Sequence, residues 1–157
     1  MGQLRMRSLG LMLIAVLAGC AKAPAASTLP EDALEAAIGQ AIGDPTTCVL
    51  LADPATGKTL YRYGQLFNCQ RGLAACDRPG TLSAQAALAL ADTPDGRRAS
   101  CPSVADGSRS VGWAQGRIAG GKRRLLYSAV IEGERALPGQ EIAARLEGAF
   151  RKTGLEP

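Results

Sequence analysis

The chain has 157 residues, 46% of them hydrophobic and 20% charged, with a formal net charge of +4 and no histidine. This is enough chain for one domain of ordinary size, with a globular composition. The missing histidine excludes Ser-His-Asp and Cys-His nucleophile pairs and every zinc site built on imidazole; serine–lysine and carboxylate chemistry stay open.

Residues 1–7 are short and basic, and the apolar run at 9–17 is too short for a permanent membrane span. Leu17-Ala18-Gly19-Cys20 follows. Together these resemble the signal and lipobox of bacterial lipoproteins. The resemblance implies a signal peptide at 1–19 and a mature chain that begins with Cys20, lipidated on its sulfur and amino group. Each acyl methylene buried in the bilayer contributes about 0.8 kcal/mol, so several chains give a lasting anchor. Ala21 stands where the family's sorting rule reads aspartate as inner-membrane retention, which implies the periplasmic face of the outer membrane. Residues 20–27, rich in Ala and Pro, form a lipidated tether, and 28–157 form a single domain. Removing Arg5 and Arg7 from the 18 basic residues leaves 16 against 14 acidic ones, a net +2. No Lys/Arg run interleaves with aromatics, so a nucleic-acid partner is not expected.

Thr28-Leu29-Pro30-Glu31 spells a capping box with proline near the helix start. Leu34, Ile38 and Ile42 then repeat at helical spacing, predicting an amphipathic helix that ends near Gly43. Cys48–Ala52 reads as a buried strand and Lys58–Tyr63 as its returning partner around Asp53-Pro54-Ala55-Thr56-Gly57. Residues 64–80 read as loop, and Thr81–Ala91 as a helix on propensity. Residues 92–108 are polar and broken by Pro and Gly, and read as an irregular connection.

Arg109–Glu132 predicts a second hairpin around Gly120-Gly121. On its return strand Leu125, Tyr127, Ala129 and Ile131 point one way, and Leu126, Ser128 and Val130 the other. Both sets are largely apolar, so this strand belongs in the middle of a sheet covered on both faces. A last helix, Gln140–Lys152, carries Ile142, Leu146 and Phe150 as its stripe and ends at Gly154. The expected fold class is α+β: an antiparallel sheet of two hairpins, N- and C-terminal helices packed on it, and a helical and loop insert in the middle.

Setting Cys20 aside leaves Cys48, Cys69, Cys76 and Cys101, an even number that predicts two disulfides in an exported chain. Three pairings are possible; the favoured one joins Cys69 to Cys76 and Cys48 to Cys101.

Val49–Tyr61, with its strand, D-x-x-T-G turn and return strand, resembles the first hairpin of penicillin-binding proteins and serine β-lactamases. Val111-Gly112-Trp113-Ala114-Gln115-Gly116 and Leu126–Val130 resemble later strands of that family's sheet. The family's catalysis needs S-x-x-K, in which one helical turn brings a lysine amine to the serine hydroxyl. Here that helix reads Ser83-Ala84-Gln85-Ala86, and no other serine has lysine three residues later. Lys152-Thr153-Gly154 spells the family's third motif but ends the last helix. The resemblance therefore implies a shortened, non-catalytic relative, with a serine hydrolase acting through Ser83 as the alternative.

The expected function is a non-catalytic envelope lipoprotein, a binding or accessory module. Its partners would be the membrane, through Cys20, and an envelope protein or glycan; no cofactor or metal is expected, and Asp92, Asp95 and Asp106 match no calcium loop. Tyr61, Tyr63, Trp113 and Arg117 are the candidate binding patch for glycan or peptide. Arg117, Lys122, Arg123 and Arg124 cluster at the second hairpin's tip, where a solvated turn competes with an anion-binding role. Glu132 and Glu134 at the strand end read as solvated residues rather than an acid/base pair.

Overall fold

The computed structural model describes residues 29–118 and 123–156. The signal segment, Cys20, the tether, Thr28 of the expected capping box and the Gly120-Gly121-Lys122 turn lie outside the described residues.

Helix α1 (Glu31–Ile42) buries Leu34, Ile38 and Ile42, the stripe its spacing demands. Pro30 precedes it with no side-chain cap, and Glu31 and Asp32 in the first turn complement the helix dipole. Strands β1 (Cys48–Ala52) and β2 (Thr59–Tyr63) form the first hairpin. Its turn is built by Asp53, whose Oδ1 accepts from the backbone N–H of Ala55 at 2.9 Å and of Thr56 at 3.0 Å. Gly57 supplies the positive φ of 67° that closes it.

The middle segment holds α2 (Leu66–Gln70), β3 (Leu73–Ala74), β4 (Thr81–Leu82) and α3 (Ala84–Ala89). The long helix expected over Thr81–Ala91 is replaced by a short strand and six helical residues. Ser83 explains the break: its side chain accepts the Ala86 N–H and caps α3 there, while Thr81 and Leu82 pair with β3. Strand β5 (Arg97–Pro102) occupies the stretch read as irregular. It is an edge strand whose residues alternate half-buried and exposed, and its charged sequence hides the period that apolar residues would have shown.

Strands β6 (Ser110–Ile118) and β7 (Leu125–Gly133) form the second hairpin, and α4 (Gly139–Lys152) closes the fold. The end of α4 is a Schellman motif: Leu155 N–H reaches the Phe150 carbonyl, Gly154 N–H reaches that of Arg151, and Gly154 has φ +72°.

The five main strands are antiparallel in the order β2-β1-β7-β6-β5, beside a separate β3-β4 ribbon. The two hairpins join through β1 and β7, with Val49 opposite Ala129 and Leu51 opposite Tyr127. β7 is buried along eight of its nine residues, as expected of a central strand. Its Leu125, Tyr127, Ala129 and Ile131 share one core with Leu34, Ile38, Leu146 and Phe150 of the terminal helices. Leu126 and Val130 share the other with Leu50, Trp113 and the alanines of α3. The molecule is thus α+β in three layers, with α1 and α4 on one side of the sheet and the middle segment on the other.

Small residues set the spacing of the helical side. Gly112 and Ala114 lie on the α4 face of β6, and a Cβ on Gly112 would collide with the Leu137 carbonyl and come within 2.9 Å of Ile142. Tyr127 fills the space over Gly116 and meets Phe150 edge-to-face at 5.5 Å.

All four cysteines are bonded, but in another pairing than the favoured one: Cys48 to Cys69 and Cys76 to Cys101. The topology forbids Cys48–Cys101. β7 and β6 stand between β1 and β5, and three strand spacings of about 4.8 Å exceed the roughly 7 Å that a disulfide spans between α-carbons. Cys69 is instead lowered onto Cys48 by α2, in a stretch too short to reveal itself as a helix by periodicity.

Candidate functional site

The expected patch of Tyr61, Tyr63, Trp113 and Arg117 is not assembled. Tyr61 and Tyr63 lie on the α1 side of the sheet. Trp113 is buried on the other side, where its indole N–H donates to the Ala74 carbonyl at 2.8 Å. Arg117 is solvent-facing and ion-paired with Asp92 at 2.6 Å. Alternation along strands of opposite orientation could not reveal that β2 and β6 aim these aromatics at opposite faces, because the order of strands decides it.

Ser83 is engaged by its own helix. Its hydroxyl accepts the N–H of Ala86, the residue that stands where a catalytic lysine would have to be. Glu132, expected to be solvated, is only 4% exposed. Its carboxylate accepts from Arg109 Nε at 2.7 Å and Nη2 at 2.8 Å, from Ser103 Oγ at 2.8 Å and from Arg71 Nη2 at 3.2 Å. The Arg109 hydrogen bonds, helped by Ser103 and the Arg71 charge, hold its carboxyl at about 2. Glu132 is therefore a fixed anion with its lone pairs used, and has no proton to give near neutral pH. This cluster ties β7 to β6, to the turn after β5 and to the end of α2. Sequence offered a weak sign of it, a glutamate in the most apolar strand of the chain.

Among the described residues the sheet edge at β2 is open to solvent. β2 hydrogen-bonds to β1 alone within the five-stranded sheet. A cavity of about 610 Å³ runs along it, lined by Glu31, Asp32 and Glu35 of α1, by Thr59–Arg62, and by Leu66 and Cys69 of α2. Register places Tyr61 opposite Leu51 on the α1 side and Arg62 opposite Leu50 on the α2 side. Tyr61 donates its hydroxyl proton to Glu35 at 3.0 Å, and burial, then that carboxylate, raises the phenol above its usual range. Beyond the strand, Leu66 and Phe67 are 51% and 69% exposed, the largest exposures of any big apolar side chain among the described residues. This site was legible only in part: Tyr61 and Tyr63 were singled out, while the acidic first turn of α1 and the apolar start of α2 were not linked to them.

Among the described residues no group of three or more His, Cys, Asp or Glu is placed to hold a metal, and no helix is long and apolar enough to cross a membrane. Compared with known proteins, the chain matches no family model, no curated protein and no solved structure. The β2 edge offers backbone hydrogen-bonding groups, carboxylates and apolar surface.

Proposed function

We propose that this protein is a non-catalytic lipoprotein of the bacterial cell envelope, anchored through Cys20 at the periplasmic face of the outer membrane, where its domain docks another envelope component. The observation that carries the reading is the use of its cysteines. Cys48, Cys69, Cys76 and Cys101 pair off with one another. The fifth, Cys20, is left at the end of Leu-Ala-Gly-Cys. Structural disulfides belong to oxidising compartments, and a cysteine at a lipobox is the acylation point such a chain needs. The non-catalytic part is supported by Ser83, whose hydroxyl caps α3 with alanine in the place of a base.

The test is metabolic labelling with an alkyne fatty acid in a bacterial host. The wild-type chain is expected to take up label and pellet with outer membranes, and Cys20→Ala to do neither. An unlabelled wild-type chain, or a Cys20→Ala chain that still takes label, overturns the anchor. Covalent labelling of Ser83 by a fluorescent penicillin overturns the non-catalytic part.

A further inference from the structure

The two edges of the sheet are treated differently. β5 ends in Pro102, is crosslinked at Cys101 to Cys76, and receives the start of α4, whose Gly139 N–H donates to Ser100 Oγ at 2.8 Å. Proline is a device that stops further strands from adding. β2 has no proline and, among the described residues, no strand on its outer side; its pairing with β1 is irregular between Leu51 and Ala52, and a cavity of about 610 Å³ runs along its open side. The two walls of that cavity differ. On the α1 side stand Glu31, Asp32 and Glu35, all exposed, and none of them paired with a cation among the described residues. On the α2 side stand Leu66 and the Arg62 stem.

Resting on the reading of a docking module, we propose that the β2 edge takes up an extended basic segment of a partner protein as a sixth strand. Main-chain hydrogen bonds to β2 would supply the affinity, and alternate side chains the specificity. Because side chains of an added strand alternate between the two faces, the partner segment has period two. Its Lys or Arg residues meet the three carboxylates, and its apolar residues meet Leu66 and avoid the Arg62 charge. A second copy of this chain fits poorly. Antiparallel pairing of two β2 edges keeps both α1 helices on the same side of the joined sheet, so two sets of Glu31, Asp32 and Glu35 would face each other, and like charges opposed across a pair destabilise it.

The experiment uses the mature chain and a labelled, capped peptide of alternating Lys and Val, read by fluorescence anisotropy. Controls are the same peptide with Glu for Lys, and with N-methyl groups along its backbone. The Lys peptide is expected to bind about tenfold tighter than the Glu peptide, less tightly as salt rises, and the N-methylated peptide not at all. Glu31→Lys with Asp32→Lys alters two exposed side chains and is expected to reverse the preference. Equal binding of Lys and Glu peptides, undiminished binding of the N-methylated peptide, or an unchanged preference in the double variant overturns the proposal. So does a dimer, seen by sedimentation, that the Lys peptide fails to displace. Fatty-acid labelling at Cys20 reports on the anchor and this titration on the edge, so either can fail with the other intact.

Discussion

Glu132→Gln keeps the shape of the side chain and removes its charge from between Arg109, Ser103 and Arg71. The fall of the carboxyl from 4.5 to about 2 corresponds to about 3 kcal/mol of native-state stabilisation. The Arg109 side chain is 39% exposed, and solvent screening there brings the figure to about 2 kcal/mol. For a domain of this size that is a fall in Tm of about 7 °C. The sign with pH follows from the direction of the shift. A carboxyl lowered in the folded state stabilises fully above its unfolded value, and the contribution is lost as pH falls toward the folded one. Urea unfolding of the mature chain and the variant, with disulfides intact, should show the full difference at pH 7. Roughly half should be gone by pH 3 and nearly all by pH 2. A difference below about 0.5 kcal/mol at pH 7, or one as large at pH 3 as at pH 7, refutes this account of the cluster.

Peptide mapping without reduction should recover Cys48 linked to Cys69 and Cys76 linked to Cys101; a Cys69–Cys76 peptide would contradict the fold of the middle segment. With partners 21 and 25 positions apart in sequence, removal of either bond by paired Cys→Ala changes is expected to cost about 3 kcal/mol, measured by urea unfolding. Gly112→Val should lower Tm by more than 10 °C or abolish folding, since its side chain enters the Leu137 carbonyl and Ile142, for a cost of about 3 kcal/mol or more. Gly133→Ala, whose added carbon meets nothing within 4 Å, should shift Tm by less than about 3 °C, and a reversal of that ranking would show the β6–α4 contact to be misread.

Local pattern carried the elements whose burial is periodic. Leu34, Ile38 and Ile42, the Ile142, Leu146 and Phe150 stripe, and the two apolar faces of β7 were readable because each has a dry core against it. What escaped was held by distant partners. β5 is a strand because β6 offers it six paired positions, not because Arg97-Arg98-Ala99-Ser100-Cys101-Pro102 favours one. α2 is placed where Cys69 meets Cys48, and the Glu132 cluster exists only once α2, the turn after β5 and β6 have converged. The disulfide pairing failed for the same reason, since strand order is invisible to spacing. For the candidate site, the hairpin that exposes β2 was legible, but not that β1 would turn its other side to β7 and leave β2 outermost.

Both disulfides fasten the same layer. Cys48–Cys69 stitches α2 to a strand near one margin of the sheet, and Cys76–Cys101 stitches the loop after β3 to the strand at the other margin. The terminal helices carry no such stitch and rest on their apolar stripes, with a few polar contacts beside them, such as Tyr61 with Glu35 and Arg145 with the Ala41 carbonyl. Covalent strength is thus unequally shared between the two sides: a reductant breaks bonds only on the side of the middle segment, whereas a chaotrope bears on both.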